Sequence, residues 1–223
     1  MKVLLYGGTF DPPHNGHLNN LRAAAGRVRP DHVVVMPAGV PPHKAASTTP
    51  AALRLEMCRC FYALEGSPDI PSLTVSSWEM EQAAAGQRNY TVLTLEMLAR
   101  EYPGARLYLA VGSDMLESFR AWHRWQDILQ LACLVVVSRE IGDDGVLHSA
   151  ARSLDPSGSR ILLAQVEALP MASREIRRRL SEGQDCAAAL PAEVQQVIRR
   201  EGLYTAPGHQ PIPQPCQHPE PQC

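Results

Sequence analysis

The stretch His32-Val-Val-Val-Met36 constrains the fold more than any other part of this chain. Its β-branched residues run without a break, whereas a strand with one wet face would alternate apolar and polar positions. Such a run belongs in a parallel sheet covered on both sides. Lys2–Tyr6, Arg106–Val111 and Leu134–Val137 read as further strands, with shorter ones near Leu73–Ser76 and Ile161–Ala164. Helical signals fall between them. One covers about His17–Arg27, and a second runs from a Thr49-Pro50 start, with Thr49 as N-cap and Pro50 in the first turn, to about Leu64. Tyr90–Arg100 carries Val92, Leu95 and Leu98 at helical spacing, and Gln126–Leu131 follows. Ser173 is expected to cap Arg174–Glu182, and Pro191 to open a last helix to about Glu201. Strand and helix in alternation imply an α/β fold: a doubly wound, mostly parallel sheet with helices on both faces and right-handed crossovers.

Composition narrows the function classes. Hydrophobic residues make up 45% of the 223 positions, enough for one sizeable core. Lysine plus arginine (21) nearly balances aspartate plus glutamate (23), so there is no electrostatic case for nucleic acid. No apolar run approaches the roughly 18 residues of a membrane span, and the run after Lys2 is too short for a signal peptide. The six cysteines, Cys58, Cys60, Cys133, Cys186, Cys216 and Cys223, lack metal-ligand spacing and read as reduced thiols. These features predict a cytoplasmic protein with no resident metal. Residues 1–205 are expected to form the folded domain. Residues 206–223, with six prolines and almost nothing apolar, are expected to be a disordered Pro/Gln-rich tail.

The chemistry concentrates at the end of the first strand, in Tyr6-Gly-Gly-Thr-Phe-Asp-Pro-Pro-His-Asn-Gly-His17. In open α/β sheets ligands sit beyond the carboxyl ends of the strands, which is where this segment lies. Gly7 and Gly8 allow backbone N–H groups to approach a phosphate without a Cβ in the way. Neither the Walker pattern nor G-x-G-x-x-G is present. His14 and His17 would be neighbours at the first turn of a helix, whose free N–H groups and dipole already attract anions. Two imidazoles there can donate hydrogen bonds to phosphate oxygens during phosphoryl or nucleotidyl transfer. The same segment is also compatible with a proline-rich turn and a capping histidine.

Gly7-Gly-Thr-Phe-Asp-Pro-Pro-His-Asn-Gly-His-Leu18 resembles the signature of the HIGH-type nucleotidyltransferases, and its wording is most similar to the bacterial nicotinate-nucleotide adenylyltransferases. The resemblance spans roughly residues 1 to 205 and implies a Rossmann-like nucleotidyltransferase fold. It extends to Pro37-Ala-Gly-Val-Pro-Pro-His-Lys44, to Asn89-Tyr-Thr-Val92, to Gly112-Ser-Asp114 and to Trp122. The family's roles, carried onto these positions, make His14, His17 and Lys44 catalytic. Gly7, Gly8, Thr9, Phe10, Gly16, Gly112, Asp114, Ser173 and Arg177 are then ATP-binding, while Thr91 and Trp122 face the acceptor. Trp125 is an alternative to Trp122 for stacking on a pyridine ring. Three positions depart from the family pattern: Leu93 stands where it has aspartate, Arg174 where it has threonine, and His123 where a second aromatic is usual.

The resemblance implies transfer of AMP from ATP, with Mg²⁺, to nicotinate mononucleotide, giving deamido-NAD and pyrophosphate. Nicotinamide mononucleotide or phosphopantetheine as acceptor, and a nucleotide-binding regulator without turnover, remain alternatives, and a homo-oligomer stays open.

Overall fold

The computed structural model describes residues 1–39, 49–138, 144–166, 169 and 171–205. In chain order the regular elements are β1 (Lys2–Gly8), α1 (Asn15–Val28), β2 (His32–Pro37), α2 (Ala51–Met57), β3 (Leu73–Val75), α3 (Trp78–Ala84), α4 (Thr91–Glu101) and β4 (Arg106–Gly112). They continue with α5 (Ser113–Glu117), α6 (Trp125–Leu131), β5 (Ala132–Ser138), α7 (Asp144–Leu154), β6 (Ile161–Gln165), α8 (Ser173–Ser181) and α9 (Ala192–Glu201). The six strands form one sheet in the order β3-β2-β1-β4-β5-β6, and every pairing is parallel. The order reverses between β1 and β4, which is where a doubly wound sheet opens a crevice at its carboxyl edge.

The continuous apolar strands serve two cores at once. Leu4 and Tyr6 of β1, Val33 and Val35 of β2 and Val135 of β5 face Leu21, Ala24 and Val28 of α1, Phe61, and Val194 and Val197 of α9. The intervening residues Val3, Leu5, Val34, Met36 and Val136 face Val92, Leu95 and Leu98 of α4, Phe119, and Ile128 of α6. Alternate side chains of one strand point to opposite faces. A run with no polar member is therefore what a sheet between two helical layers requires.

Several boundaries differ from the expectation, each for a local reason. The helix expected to run from Thr49-Pro50 to Leu64 is α-helical only to Met57 and then tightens into a 3-10 segment, Cys58–Leu64. Thr49 does not cap it. Pro50 occupies the cap position, and the Thr49 hydroxyl donates instead to the Tyr204 oxygen at 3.4 Å. Ser173 likewise is not a cap but the first helical residue after Ala172, its hydroxyl being drawn to Pro12. Helices α3 and α7 were not expected from the sequence. Cys58, Cys60, Cys133 and Cys186 are buried free thiols, and burial pushes the Cys60 thiol up to about 12. No helix among the described residues is long and apolar enough to cross a membrane.

Candidate active site

A cavity of about 470 Å³ opens at the sheet's reversal point. It gathers six of the residues singled out from the sequence: Gly7, Gly8, Thr9, Thr91, Asp114 and Trp122. Gly7, Gly8 and Thr9 come from the end of β1, and Thr91 from the first turn of α4. Asp114 lies in the first turn of α5, directly after β4. Its helix is capped by Gly112, where a side chain would run into the Asp114 carboxylate. Trp122 lies tilted on the fully buried Phe119, with ring centroids 5.3 Å apart. Trp125 packs edge-on against the same phenylalanine, away from the cavity wall. The structure thus separates the two tryptophans that sequence alone left as alternatives.

His14, His17, Phe10, Gly16, Ser173 and Arg177 form a second group around the loop that follows Gly8 and Thr9. His14 is the N-cap of α1, in extended backbone conformation, and is almost wholly buried. His17 stacks on it with ring centroids 3.7 Å apart and an interplanar angle of 29°. The backbone N–H of His14 donates to His17 Nδ1 at 3.1 Å. With Nδ1 accepting, the proton of the neutral His17 ring lies on Nε2, leaving that edge as a donor. Gly16 is required here, since a Cβ would lie 3.0 Å from the His14 ring.

Phe10 is the hinge of this group. It is buried, holds φ of 49°, and presents its ring edge-on to His17 at 5.1 Å. The same ring explains Gly8 more directly than phosphate approach does. A Cβ at position 8 would come within 2.8 Å of it. Gly7 meets almost nothing on its own chain, with Met36 O at 3.9 Å, which leaves its exposed side free for a ligand.

Asp11 is buried and anchored from the far end of the chain. Tyr204 Oη donates to Asp11 Oδ1 at 2.6 Å, and burial together with this carboxylate pushes the phenol's pKa up, so that it stays a donor. Arg177 donates to the Asp11 carbonyl at 2.5 Å, and Ser173 to the Pro12 carbonyl at 2.9 Å. Both of these residues, expected to bind ATP, hold the backbone of the signature loop. Lys44, with the rest of its Pro-Pro-His-Lys motif, lies outside the described residues. Arg174 is exposed in the first turn of α8 and makes no ion pair among the described residues, while Leu93 is exposed on α4.

The cavity wall also holds Glu79, which the sequence did not single out, together with Tyr90 and His123, which were named there without a ligand role. The His123 ring lies 4.3 Å from Tyr90 and joins the Trp122 segment to the start of α4. Glu79 accepts from the Thr94 hydroxyl at 2.6 Å. Desolvation raises its pKa above the usual glutamate range, against the opposing hydrogen bonds from Thr94 and the Gly39 backbone. For a carboxyl whose native pKa is raised, the folded state holds its proton longer than the unfolded state does. Stability therefore falls as pH rises from the ordinary glutamate value through the raised native one. Glu79→Gln removes that loss, so its melting temperature relative to the parent should be higher at pH 8 than at pH 4. A constant difference across that range would refute the assignment.

Comparison with known proteins agrees with this geometry. Residues 5–179 match the cytidylyltransferase-like family model. A protein of Exiguobacterium sibiricum, named "probable nicotinate-nucleotide adenylyltransferase", is 34% identical over 204 residues, covering 92% of this chain and 99% of the relative. One of the same name from Acidithiobacillus ferrooxidans is 35% identical over 219 residues, covering 92% and 96%. Among solved structures, the Plasmodium falciparum nicotinic acid mononucleotide adenylyltransferase complexed with NaAD superposes with a TM-score of 0.69 at 16% identity, covering 91% of this chain and 97% of that one. At that identity the superposition speaks for the fold. With the family model spanning most of the chain and relatives matched over nearly their whole length, the chain belongs to the cytidylyltransferase-like family and, within it, to the nicotinate-nucleotide adenylyltransferases.

Proposed function

We propose that this protein transfers the adenylyl group of ATP to nicotinate mononucleotide in the cytoplasm, giving deamido-NAD and pyrophosphate. The observation that carries the reading is the single cavity that has the glycine end of β1 on one wall and Trp122 on another. Such a cavity offers a place for phosphates and a flat surface for a heteroaromatic ring. The names of the relatives, and that of the solved structure in complex with NaAD, support the same substrates.

In the proposed reaction an oxygen of the acceptor's 5′-phosphate attacks the α-phosphorus of ATP. The bond from that phosphorus to the bridging oxygen breaks, and pyrophosphate leaves with the electron pair. The attacking oxygen is already anionic, so no general base is needed, and catalysis consists of positioning and charge stabilisation. The backbone of Gly7, Gly8 and Thr9 receives phosphate oxygens, with Phe10 and Gly16 setting the loop around them. His17 Nε2–H and His14 stabilise the charge that builds on the transferring group. Lys44 and Arg177 neutralise the outgoing phosphates, with Ser173 beside them.

Among the described residues no cluster of three or more His, Cys, Asp or Glu could hold a metal ion by itself. Mg²⁺ would arrive on the triphosphate, since it keeps several waters and takes one or two carboxylates plus phosphate oxygens. Asp114, on the cavity wall, would be the carboxylate to share it in this reading. When bound, the ion neutralises charge on the phosphate oxygens.

The test is pyrophosphate release with ATP, Mg²⁺ and a panel of acceptors: nicotinate mononucleotide, nicotinamide mononucleotide and phosphopantetheine. Nicotinate mononucleotide should give the highest kcat/KM. ATP binding without release for any acceptor would mean a regulator instead. Trp122→Ala should raise KM for the acceptor by about 2- to 12-fold, from a stacking energy of ~0.5–1.5 kcal/mol, and leave KM for ATP unchanged. Trp125→Ala should move neither, and equal effects of the two variants would disprove the stacking role.

A further inference from the structure

The two groups of the site are joined by a buried cation that the proposed reaction does not use. Arg54 of α2 is 3% exposed and forms no ion pair among the described residues. Its guanidinium instead collects backbone carbonyls. One terminal nitrogen donates to Thr9 O at 2.9 Å and to Ala38 O at 2.8 Å, while the other makes a longer contact of 3.5 Å with Gly39 O. Thr9 O belongs to the peptide that enters Phe10. Ala38 and Gly39 belong to the exit of β2, where Ala38 N–H also donates to Gly8 O at 2.8 Å. Gly39 in turn fits against α3 and Asn89, on the acceptor side of the cavity.

We infer that Arg54 is a positioning residue that couples the phosphate loop to the acceptor wall and thereby sets where His17 stands. The chain of contacts is continuous. Holding the Thr9 carbonyl fixes the plane of the Thr9–Phe10 peptide. That plane keeps Phe10 in the left-handed region, which a bulky residue enters only when its surroundings impose it. Phe10 in that conformation lays its ring edge against His17. The same guanidinium holds Ala38 and Gly39, so a shift of the loop and a shift of the acceptor wall are not independent. A planar fork can bond carbonyls from two segments at once, which a lysine ammonium on a flexible stem does poorly. The buried cation also lies beneath Thr9 and Ala38, with Asp11 its main electrostatic counterweight.

The inference rests on the reading of this cavity as the adenylyl-transfer site, and the test separates the two. Arg54→Lys and Arg54→Ala are compared with the parent for kcat, KM of each substrate, thermal melting, and the imidazole ¹⁵N–¹H correlations of His17 without ligands. Arg54→Lys should fold and lose about 10²-fold in kcat, as a displacement near 1 Å in a transfer site does. KM for ATP should change far less, and the His17 correlations should shift. Added guanidinium ion should restore part of the kcat of Arg54→Ala and return the His17 signals towards the parent's. If Arg54→Ala does not fold, the lysine variant decides alone. A folded lysine variant with parental kcat and unmoved His17 signals overturns the inference, as does a kcat loss with unmoved His17 signals. If the parent itself releases no pyrophosphate with any acceptor, the function reading fails, while the His17 spectra still decide whether Arg54 positions that ring.

Discussion

His17→Ala is expected to lower kcat by about 10²–10³-fold, the usual cost of deleting one preorganised donor from a site where charge develops. The fold should survive. His17 is only half-buried on the first turn of α1, and the main structural loss is the acceptor for the His14 backbone N–H. A lost cap of this kind costs about 1 kcal/mol. The loss of rate is expected to exceed any change in KM, because the donor is strongest where charge has built up rather than in the ground state. Steady-state kinetics on a variant with parental circular dichroism would measure it. A folded His17→Ala enzyme with near-parental kcat would remove His17 from the mechanism.

The second large effect is expected from a residue that touches no substrate in the proposed reaction. Gly39→Ala places a Cβ 2.7 Å from Ala83 Cβ and still closer to the Glu79 carbonyl and the Asn89 side chain. Two of those three groups belong to α3, so the clash cannot be relieved by turning one flexible side chain. Forcing a methyl group into a packed site costs about 1–3 kcal/mol. For a chain of this size that corresponds to roughly 2–4 °C of melting temperature per kcal/mol. Activity should fall as well, because Gly39 sits between the Arg54 guanidinium and the wall that carries Asn89 and Tyr90. Ala38→Gly, which adds no atoms next to it, serves as the control and should melt close to the parent. A Gly39→Ala protein with unchanged melting would mean that α3 can move away from β2 at little cost.

These two predictions sit on either side of what could be read from the chain alone. The signature between Gly7 and His17 was legible because its chemistry is local. A strand end, a proline-stiffened loop and a helix N-terminus follow one another within a dozen residues. Gly39 was legible only as a loop glycine, since its neighbours at Glu79, Ala83 and Asn89 lie some forty positions or more away in sequence. Arg54 left a weak trace. It shares a helical stripe with the buried Met57, Cys58 and Phe61, and a charge on an apolar stripe is a reason to look for buried acceptors. Tyr204 left none, because it follows the last helix and meets Asp11 only through the fold.

The departures from the family pattern divide in the same way. His123 lines the cavity and packs on Tyr90, so this substitution touches the acceptor side directly. Leu93 is exposed on α4 and lines no part of that wall. Sequence comparison flagged both equally.

By itself, the sequence determined the architecture and the kind of chemistry. Unbroken β-branched runs specify strands buried on both faces, and a parallel sheet then needs helical crossovers. The paired glycines and the His14–His17 pair were legible as a strand end running into a helix start, where backbone donors and the helix dipole arise from local geometry alone, and the family resemblance made them candidates for an anion site. Only the tertiary structure decided which tryptophan faces the cavity, why Gly8 must lack a side chain, and that Arg177 and Ser173 hold the Asp11–Pro12 backbone. It also brought out Arg54 and Tyr204 as the anchors of that loop. The physical reason is range. Periodicity and turn chemistry act between residues a few positions apart, whereas a buried hydrogen bond joins whatever partners the crossovers carry to the same edge of the sheet.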